Sequence, residues 1–391
     1  MAHLYALNTA RKLRFIATLF SRGSKRILGL VDSSPANTFR KVNTASMFDI
    51  TLQTNPIASG PIQDAVYYKH SDAGYCVFQV ENTLFKLHRV LLTREPSVFG
   101  DMFSLAQPDD TDGTSNDIPV FLSDTLEQFR DFLWALYASH TELYNETQIN
   151  RLLNIAELTS KYCFASLEGW VLERIYVLSQ GPTGLLRPAS PDVCARMLKT
   201  AILGNHKKLL NLVTQHIICQ ILWYNTYSEA IIEIAETYGL RALQGAGYYR
   251  RLIDMESFDD NSDMIELSVP LTMSAEQRTC FLSAHHSLLN LWDHLRTCPP
   301  TLFPSGCLAH NQCSTNWERM WFEAGAENER LCCGSADVLG RLKAVMLSLR
   351  KSMCDAPGLT LQCKMTALEA ITALRDEIID GLMDHFMGNS N

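Results

Sequence analysis

Cys307-Leu-Ala-His310-Asn-Gln-Cys313 places two thiols and an imidazole three residues apart, and these are the soft and borderline donors that zinc prefers. A tetrahedron needs a fourth donor, and Cys298, Cys354 and Cys363 are all in line to supply it. Against a metal, paired Cys-x-x-Cys knuckles are absent and the adjacent Cys332-Cys333 pair has poor ligand geometry. A free cysteine is otherwise a small buried hydrophobe. The expectation is a chain with no committed cofactor, in which Cys307, His310 and Cys313 are the candidate zinc ligands.

His88-Arg89 is the second place to look for chemistry. A catalytic histidine needs a cleft and an orienting partner. Here the neighbours are Lys86, Arg94 and apolar side chains, and the nearest acids in sequence are Glu81 and Glu95. The spacing predicts instead a buried imidazole satisfying backbone groups at a strand-to-helix junction, with Arg89 near the surface. Familiar enzyme motifs are missing: there is no Gly-x-Ser-x-Gly elbow, no phosphate-binding Gly-x-x-x-x-Gly-Lys-Ser/Thr loop and no His-Glu-x-x-His helix. Asp259-Asp-Asn261-Ser-Asp263 fails as a calcium loop because Met264 stands in the glycine position and Pro270 in that of the last carboxylate. No enzyme is expected.

The elements that would hold these residues follow from hydrophobic period. Cys76, Phe78 and Val80 alternate with Val77, Gln79 and Glu81; Glu81-Asn82-Thr83 then turns the chain before Phe85 and Leu87, which predicts a β-hairpin. A short helix over Val90-Leu91-Leu92 follows, and Pro96 suits the first turn of the next, which carries Phe99, Met102 and Phe103 on one face. That stripe reads as core packing. DDTDGTSND (109–117) reads as a surface loop. Ile118, Val120 and Leu122 predict a strand, and Ser123-Asp124 the start of a helix whose stripe is Phe129, Phe132, Leu133, Leu136 and Tyr137. Helices then dominate: Ile149, Leu152, Leu153 and Ala156 on one, and Leu167, Trp170, Val171 and Ile175 on the next. A Gly/Pro-rich linker occupies 180–191, and a final helix spans about 364–386.

With 391 residues, 47% of them hydrophobic, the chain has material for two or three domains. Its formal charge of −8 is uneven: residues 1–48 hold eight Lys/Arg against Asp32 alone, which leaves −15 on residues 49–391. An acidic body argues against direct nucleic-acid binding. The basic, acid-poor head reads as a disordered arm over residues 1–60. LLNLVTQHIICQILW (209–223) is too short and too polar to span a membrane. The N-terminus lacks the order of a secretory signal. The expected location is cytoplasmic and/or nuclear, so the twelve cysteines, eight of them between Cys280 and Cys363, should be thiols or ligands rather than disulfides.

Phe85-Lys86-Leu87-His88-Arg89-Val90-Leu91-Leu92 resembles the Phe-x-x-His-(Lys/Arg)-x-x-Leu signature of the BTB/POZ family. Ser97-Val98-Phe99-Gly100-Asp101-Met102-Phe103 resembles its serine-led segment ending Phe-x-x-Met-Phe. The rest, with Ile234 to Gly239, Leu291-Trp292-Asp293, Pro299-Pro300 and the Cys307, Cys313, Trp317, Trp321 series, is similar to the BTB proteins common in mushroom-forming fungi. The resemblance implies an α+β fold. A BTB/POZ domain over 61–180, a small sheet capped by helices, would precede a helical region over 192–295 in the BACK position and a Cys/Trp-containing helical region over 296–391.

It also implies a non-catalytic protein-interaction module. In one branch this is an adaptor or scaffold linking a partner to a cullin-type ubiquitin ligase; in another it is a nuclear transcriptional regulator that uses BTB oligomerisation. The partner-binding residues carried over are Arg89, Phe99, Asp101, Met102, Phe103, Ser104 and Leu105, with a homo-oligomer and a cullin as the implied partners. One departure stands out: many BTB domains carry an acid 13 residues before the histidine, facing the basic residue across a dimer pocket, and here that position is Tyr75. Asp72 lies three residues earlier.

Overall fold

The computed structural model describes residues 61–68, 74–104, 113, 115–181, 183–226, 228–258, 265–303, 306–327, 334–355 and 358–387. The basic arm, Asp72, Leu105, the Asp259–Asp263 segment and the Cys332-Cys333 pair lie outside them. The chain divides into two compact units, Met1–Pro188 with Arg196–Leu210, and Ala189–Ala195 with Asn211–Asn391. A small sheet near the N-terminus followed by helices makes the fold α+β, as expected.

In the first unit β1 (Ile62–Tyr68), β2 (Tyr75–Val80), β3 (Thr83–His88) and β4 (Val120–Leu122) form one sheet in the order β1-β3-β2-β4. The expected hairpin is present: β2 and β3 run antiparallel with Tyr75 opposite His88 and Val80 opposite Thr83. Glu81 takes the left-handed conformation at the turn, φ 51°. β1 runs parallel to β3, and β4 parallel to β2. Periodicity did not single out β1, because its buried residue is Asp64 rather than a hydrophobe. The Asp64 carboxylate accepts from the N–H groups of Val66 and Tyr67 (3.0 and 2.8 Å) and pairs with Arg130 at 2.8 Å.

Part of the 109–117 loop is not at the surface. Gly113 is buried at φ 81°, its carbonyl accepts from Val77 N–H (2.8 Å), and a Cβ there would lie 2.6 Å from Cys76 Sγ. Only glycine fits that approach.

Two helix starts differ from expectation. α1 (Arg89–Leu92) leads to α2 (Val98–Ser104), but Pro96 sits in the bend before α2 rather than in its first turn. Ser97 does the capping, accepting from Gly100 N–H (3.2 Å) while donating to Leu92 O (2.6 Å). α3 (Leu126–Tyr137) is capped by Thr125, which exchanges bonds with Gln128 in a capping box, not by Ser123-Asp124. Asp124 is buried and instead accepts from Lys161 Nζ and the Tyr162 hydroxyl.

After α4 (His140–Asn145), the hairpin of α5 (Ile149–Tyr162) and α6 (Ala165–Ser179) completes the cover. The core is aromatic. Phe78 meets Phe99 edge-on at 5.3 Å, Phe85 meets Phe129 at 5.0 Å, and Phe132 meets Phe164 at 5.2 Å.

α7 (Pro191–Leu203) and α8 (Lys207–Tyr224) each carry residues of both units. The second unit continues with α9 (Glu229–Tyr238), closed by Gly239 at φ 66°, and α10 (Arg241–Asp254). An unanticipated hairpin pairs β5 (Glu256–Phe258) with β6 (Ile265–Leu267). α11 (Ala275–Thr297), α12 (His310–Glu327), α13 (Val338–Asp355) and α14 (Leu361–Phe386) follow. A Cβ on Gly245 of α10 would meet Met383 N at 2.6 Å, so α10 and α14 touch backbone to backbone there. One core runs from Tyr249 to Phe386 and includes Leu295 and Leu302. The boundary expected at 295/296 thus falls inside α11 and within a single core.

The two units should respond to acid in different ranges. In the first, burial is the largest single effect on Asp64 and acts upward, but the N–H donors of Tyr67 and Val66 together with Arg130 outweigh it and hold the carboxyl below its ordinary value; Gln148 N–H and Arg151 do the same for Glu146. Depressed carboxylates stabilise fully above about pH 4 and lose that contribution as pH falls through their folded values. In the second unit burial lowers His216 and His385. Their neutral forms are favoured, so stability declines as pH drops below about 6.5. Fluorescence-monitored unfolding is expected to show the second unit, with Trp223, Trp292, Trp317 and Trp321, weakening first on acidification. A signal from it that is unchanged from pH 7 to about pH 5 would contradict this assignment.

Candidate metal centre

Cys307 follows Gly306, whose φ of 72° turns the chain back toward α12. Cys313 lies one turn into α12 and Cys363 in the first turn of α14. These elements bring the three sulfurs within 4.8 Å of one another, close enough to hold a metal ion. Cys307 Sγ and Cys313 Sγ are 3.9 Å apart, and His310 Nδ1 lies 3.8 Å from Cys363 Sγ. Cys313 and Cys363 are buried, while Cys307 and His310 are half-buried.

Thr360, which the sequence did not mark, sits among the sulfurs. Its backbone N–H donates to Cys313 Sγ (3.4 Å), and its Oγ1 is 3.3 Å from Cys307 Sγ and accepts from Cys363 N–H (3.3 Å). It is the N-cap of α14, so one residue starts the helix and supplies donors to thiol sulfur. The only sequence sign of it is a threonine three residues before a cysteine.

The Thr360 hydroxyl pulls the Cys307 thiol below its ordinary value, with help from Ala309 N–H and the other two sulfurs. At Cys363 the same hydroxyl also acts downward, but burial and the neighbouring sulfurs outweigh it and the net shift is upward. A shared site in which thiols bias one another this way favours deprotonating some before others. Cys76 and Cys194 are different: burial pushes them up to about 12 and about 11, so they remain thiols.

Of the other proposed ligands, Cys298 does not join. Cys298 is exposed, with its sulfur 3.9 Å from Thr297 Oγ1. The side chain of Cys354 lies outside the described residues.

His88 is half-buried at the end of β3. Its side chain does not serve the backbone as expected: Nε2 is 2.7 Å from the Tyr75 hydroxyl and Nδ1 3.0 Å from that of Tyr137. Tyr75, standing where an acid was looked for, is therefore a partner of His88. Arg89 is exposed, its guanidinium 4.3 Å from the centre of the Phe103 ring and its N–H bonded to Gly74 O. Of the other partner-binding candidates, Phe99 is buried in the core and unavailable to a partner in the folded state; Asp101, Met102 and Phe103 are half-buried and Ser104 is exposed.

Sequence reasoning also missed Glu256, His285 and Ser335, which lie 29 to 79 residues apart. Glu256 Oε1 is 2.9 Å from His285 Nε2 and accepts from Ser335 Oγ (2.5 Å) and Ala336 N–H (2.9 Å). Ser335 Oγ approaches the same Nε2 at 3.3 Å. A nucleophile relay places serine on one ring nitrogen and the carboxylate on the other. Here both use one nitrogen, a closed triangle that fastens the approach to α13.

No family model, curated protein or solved structure matches the chain. No helix among the described residues is long and apolar enough to cross a membrane.

Proposed function

We propose that this chain is a non-catalytic protein-interaction module: a BTB-like first unit that self-associates or binds a partner, serving as an adaptor, with a second helical unit held by zinc in its three-thiol cluster. The observation that carries the interaction reading is a pair of apolar side chains on β1. Among the described residues β1 stands at the end of the strand order, and its Ile62 and Val66 are each 63% exposed. Exposed apolar side chains of this kind offer another chain a surface to bind. Arg89 and Val90, at the strand-to-helix junction, are also exposed while Phe85, Leu87, Leu92 and Phe99 fill the core. Zinc suits the second unit because thiolates are its preferred ligands and the sulfurs are already gathered.

The test is solution mass of the full chain by light scattering, with and without Ile62→Lys and Val66→Lys together. A dimer or larger species that these changes convert to monomer supports the reading. A wild-type monomer that also gives no heat with a cullin N-terminal domain, on the order of tens of micromolar, would end the adaptor form of it.

A further inference from the structure

We infer that His310 is the fourth ligand of the cluster, closing a Cys3His zinc centre with Cys307, Cys313 and Cys363 that joins the start of α12 to the start of α14. This rests on the reading that the three thiols hold zinc.

The three sulfurs already lie within 4.8 Å of one another, and His310 approaches that group at Cys363, so its ring must turn to complete the set. Ligands about 2.3 Å (sulfur) and about 2.0 Å (nitrogen) from tetrahedral zinc lie roughly 3.8 Å apart for two sulfurs and roughly 3.6 Å for sulfur and nitrogen. The corresponding separations are 3.9 Å for Cys307 and Cys313 and 3.8 Å for Cys363 and His310. His310 is the first residue of α12 and half-buried, so its ring can turn about its side-chain bonds to bring Nδ1 onto the ion. Of the other candidate donors, Cys298 is exposed and engaged with Thr297, and Thr360 is a neutral hydroxyl already accepting from Cys363 N–H.

The surroundings suit thiolate. Thr360 N–H points at Cys313 Sγ, and Thr360 Oγ1 lies 3.3 Å from Cys307 Sγ. Donors outside the coordination sphere orient ligands and offset the charge of three thiolates on one divalent ion. Thr360 is thus a positioning residue, not a ligand. A site with four protein ligands has no open position for water, which makes it structural rather than catalytic.

The link it makes is long-range. Cys307, His310 and Cys313 lie within one turn and the beginning of α12, whereas Cys363 is 50 residues beyond Cys313. Trp317 and Trp321 follow in α12 and are buried, so the ion would sit beside the core it fastens.

The experiment uses the full chain, purified without a metal-affinity column, with zinc measured by plasma mass spectrometry. About one zinc per chain is expected; less than about a tenth of an equivalent, with none taken up on adding zinc, overturns the underlying thiol-site reading. Competition with a chromogenic chelator then separates the fourth ligand from the other three.

His310→Ala is expected to weaken zinc more than roughly 100-fold, the most that losing an outer partner usually costs, while His310→Cys keeps tight binding. Should His310→Ala fail to fold, cobalt in the wild-type protein decides: an intense tetrahedral spectrum that changes with His310→Cys supports nitrogen ligation. One zinc per chain with affinity and cobalt spectrum unmoved by either change leaves the three-thiol reading intact and overturns the role of His310.

Discussion

Trp321→Ala is expected to cost the second unit about 3–5 kcal/mol in urea unfolding, enough to leave it marginal at best. Trp321 is buried, packs 5.5 Å from Trp317 ring to ring, and belongs to the core that spans Tyr249 to Phe386. The loss has two parts. The first is a cavity the size of an indole between helices that cannot close without moving α11 against α12. The second is polar: Trp321 Nε1 donates to Leu295 O at 2.9 Å, and Leu295 lies in the last turn of α11, where carbonyls lack partners within the helix. Trp321→Phe separates the two, keeping much of the volume and dropping the donor, and should cost about 1–3 kcal/mol. If the alanine variant lost under about 1 kcal/mol, Trp321 would not be the centre of this core.

In the first unit the largest polar effect should come from Asp124→Ala, at about 2–3 kcal/mol. The Asp124 carboxylate is buried and accepts from Lys161 Nζ and the Tyr162 hydroxyl. Tyr162 is in the core with its ring 4.5 Å from Phe99, and burial, reinforced by Asp124, raises its phenol far above the ordinary value. Removing the carboxylate takes an acceptor from that buried hydroxyl, whereas Lys161 is partly exposed and can turn to water. The cost should therefore come mostly from the phenol. Tyr162→Phe in the Asp124→Ala background is expected to recover part of it, read as a coupling in a double-mutant cycle. Strict additivity of the two changes would mean that they do not act as a pair.

These sites show why some features were legible from sequence and others were not. The hairpin and the stripe of Phe129, Phe132 and Leu133 were readable because each repeats at the period of its own element, and local backbone geometry sets that period. Asp124 looked like a cap because Ser-Asp before an apolar stripe usually is one. Thr125 took the cap, and Asp124 turned inward to a tyrosine 38 residues away. β1 was missed because its inward group is a carboxylate, made tolerable by the Val66 and Tyr67 N–H groups and by Arg130, 66 residues on.

The candidate site divides in the same way. From the residues alone, Cys307, His310 and Cys313 could be grouped, since seven consecutive residues cannot stray far from one another. Cys298, Cys354 and Cys363 were equivalent as the remaining thiol. The packing of α12 and α14 selected Cys363, and Thr360 came with it as a donor to sulfur. The chain by itself thus determined the elements with a clear hydrophobic period, its acidic body and a local trio of ligands, because these depend on neighbours in sequence. The tertiary structure decided the partners of His88, the buried role of Asp124 and the third sulfur, because each depends on a contact whose other half lies 13 to 50 residues away.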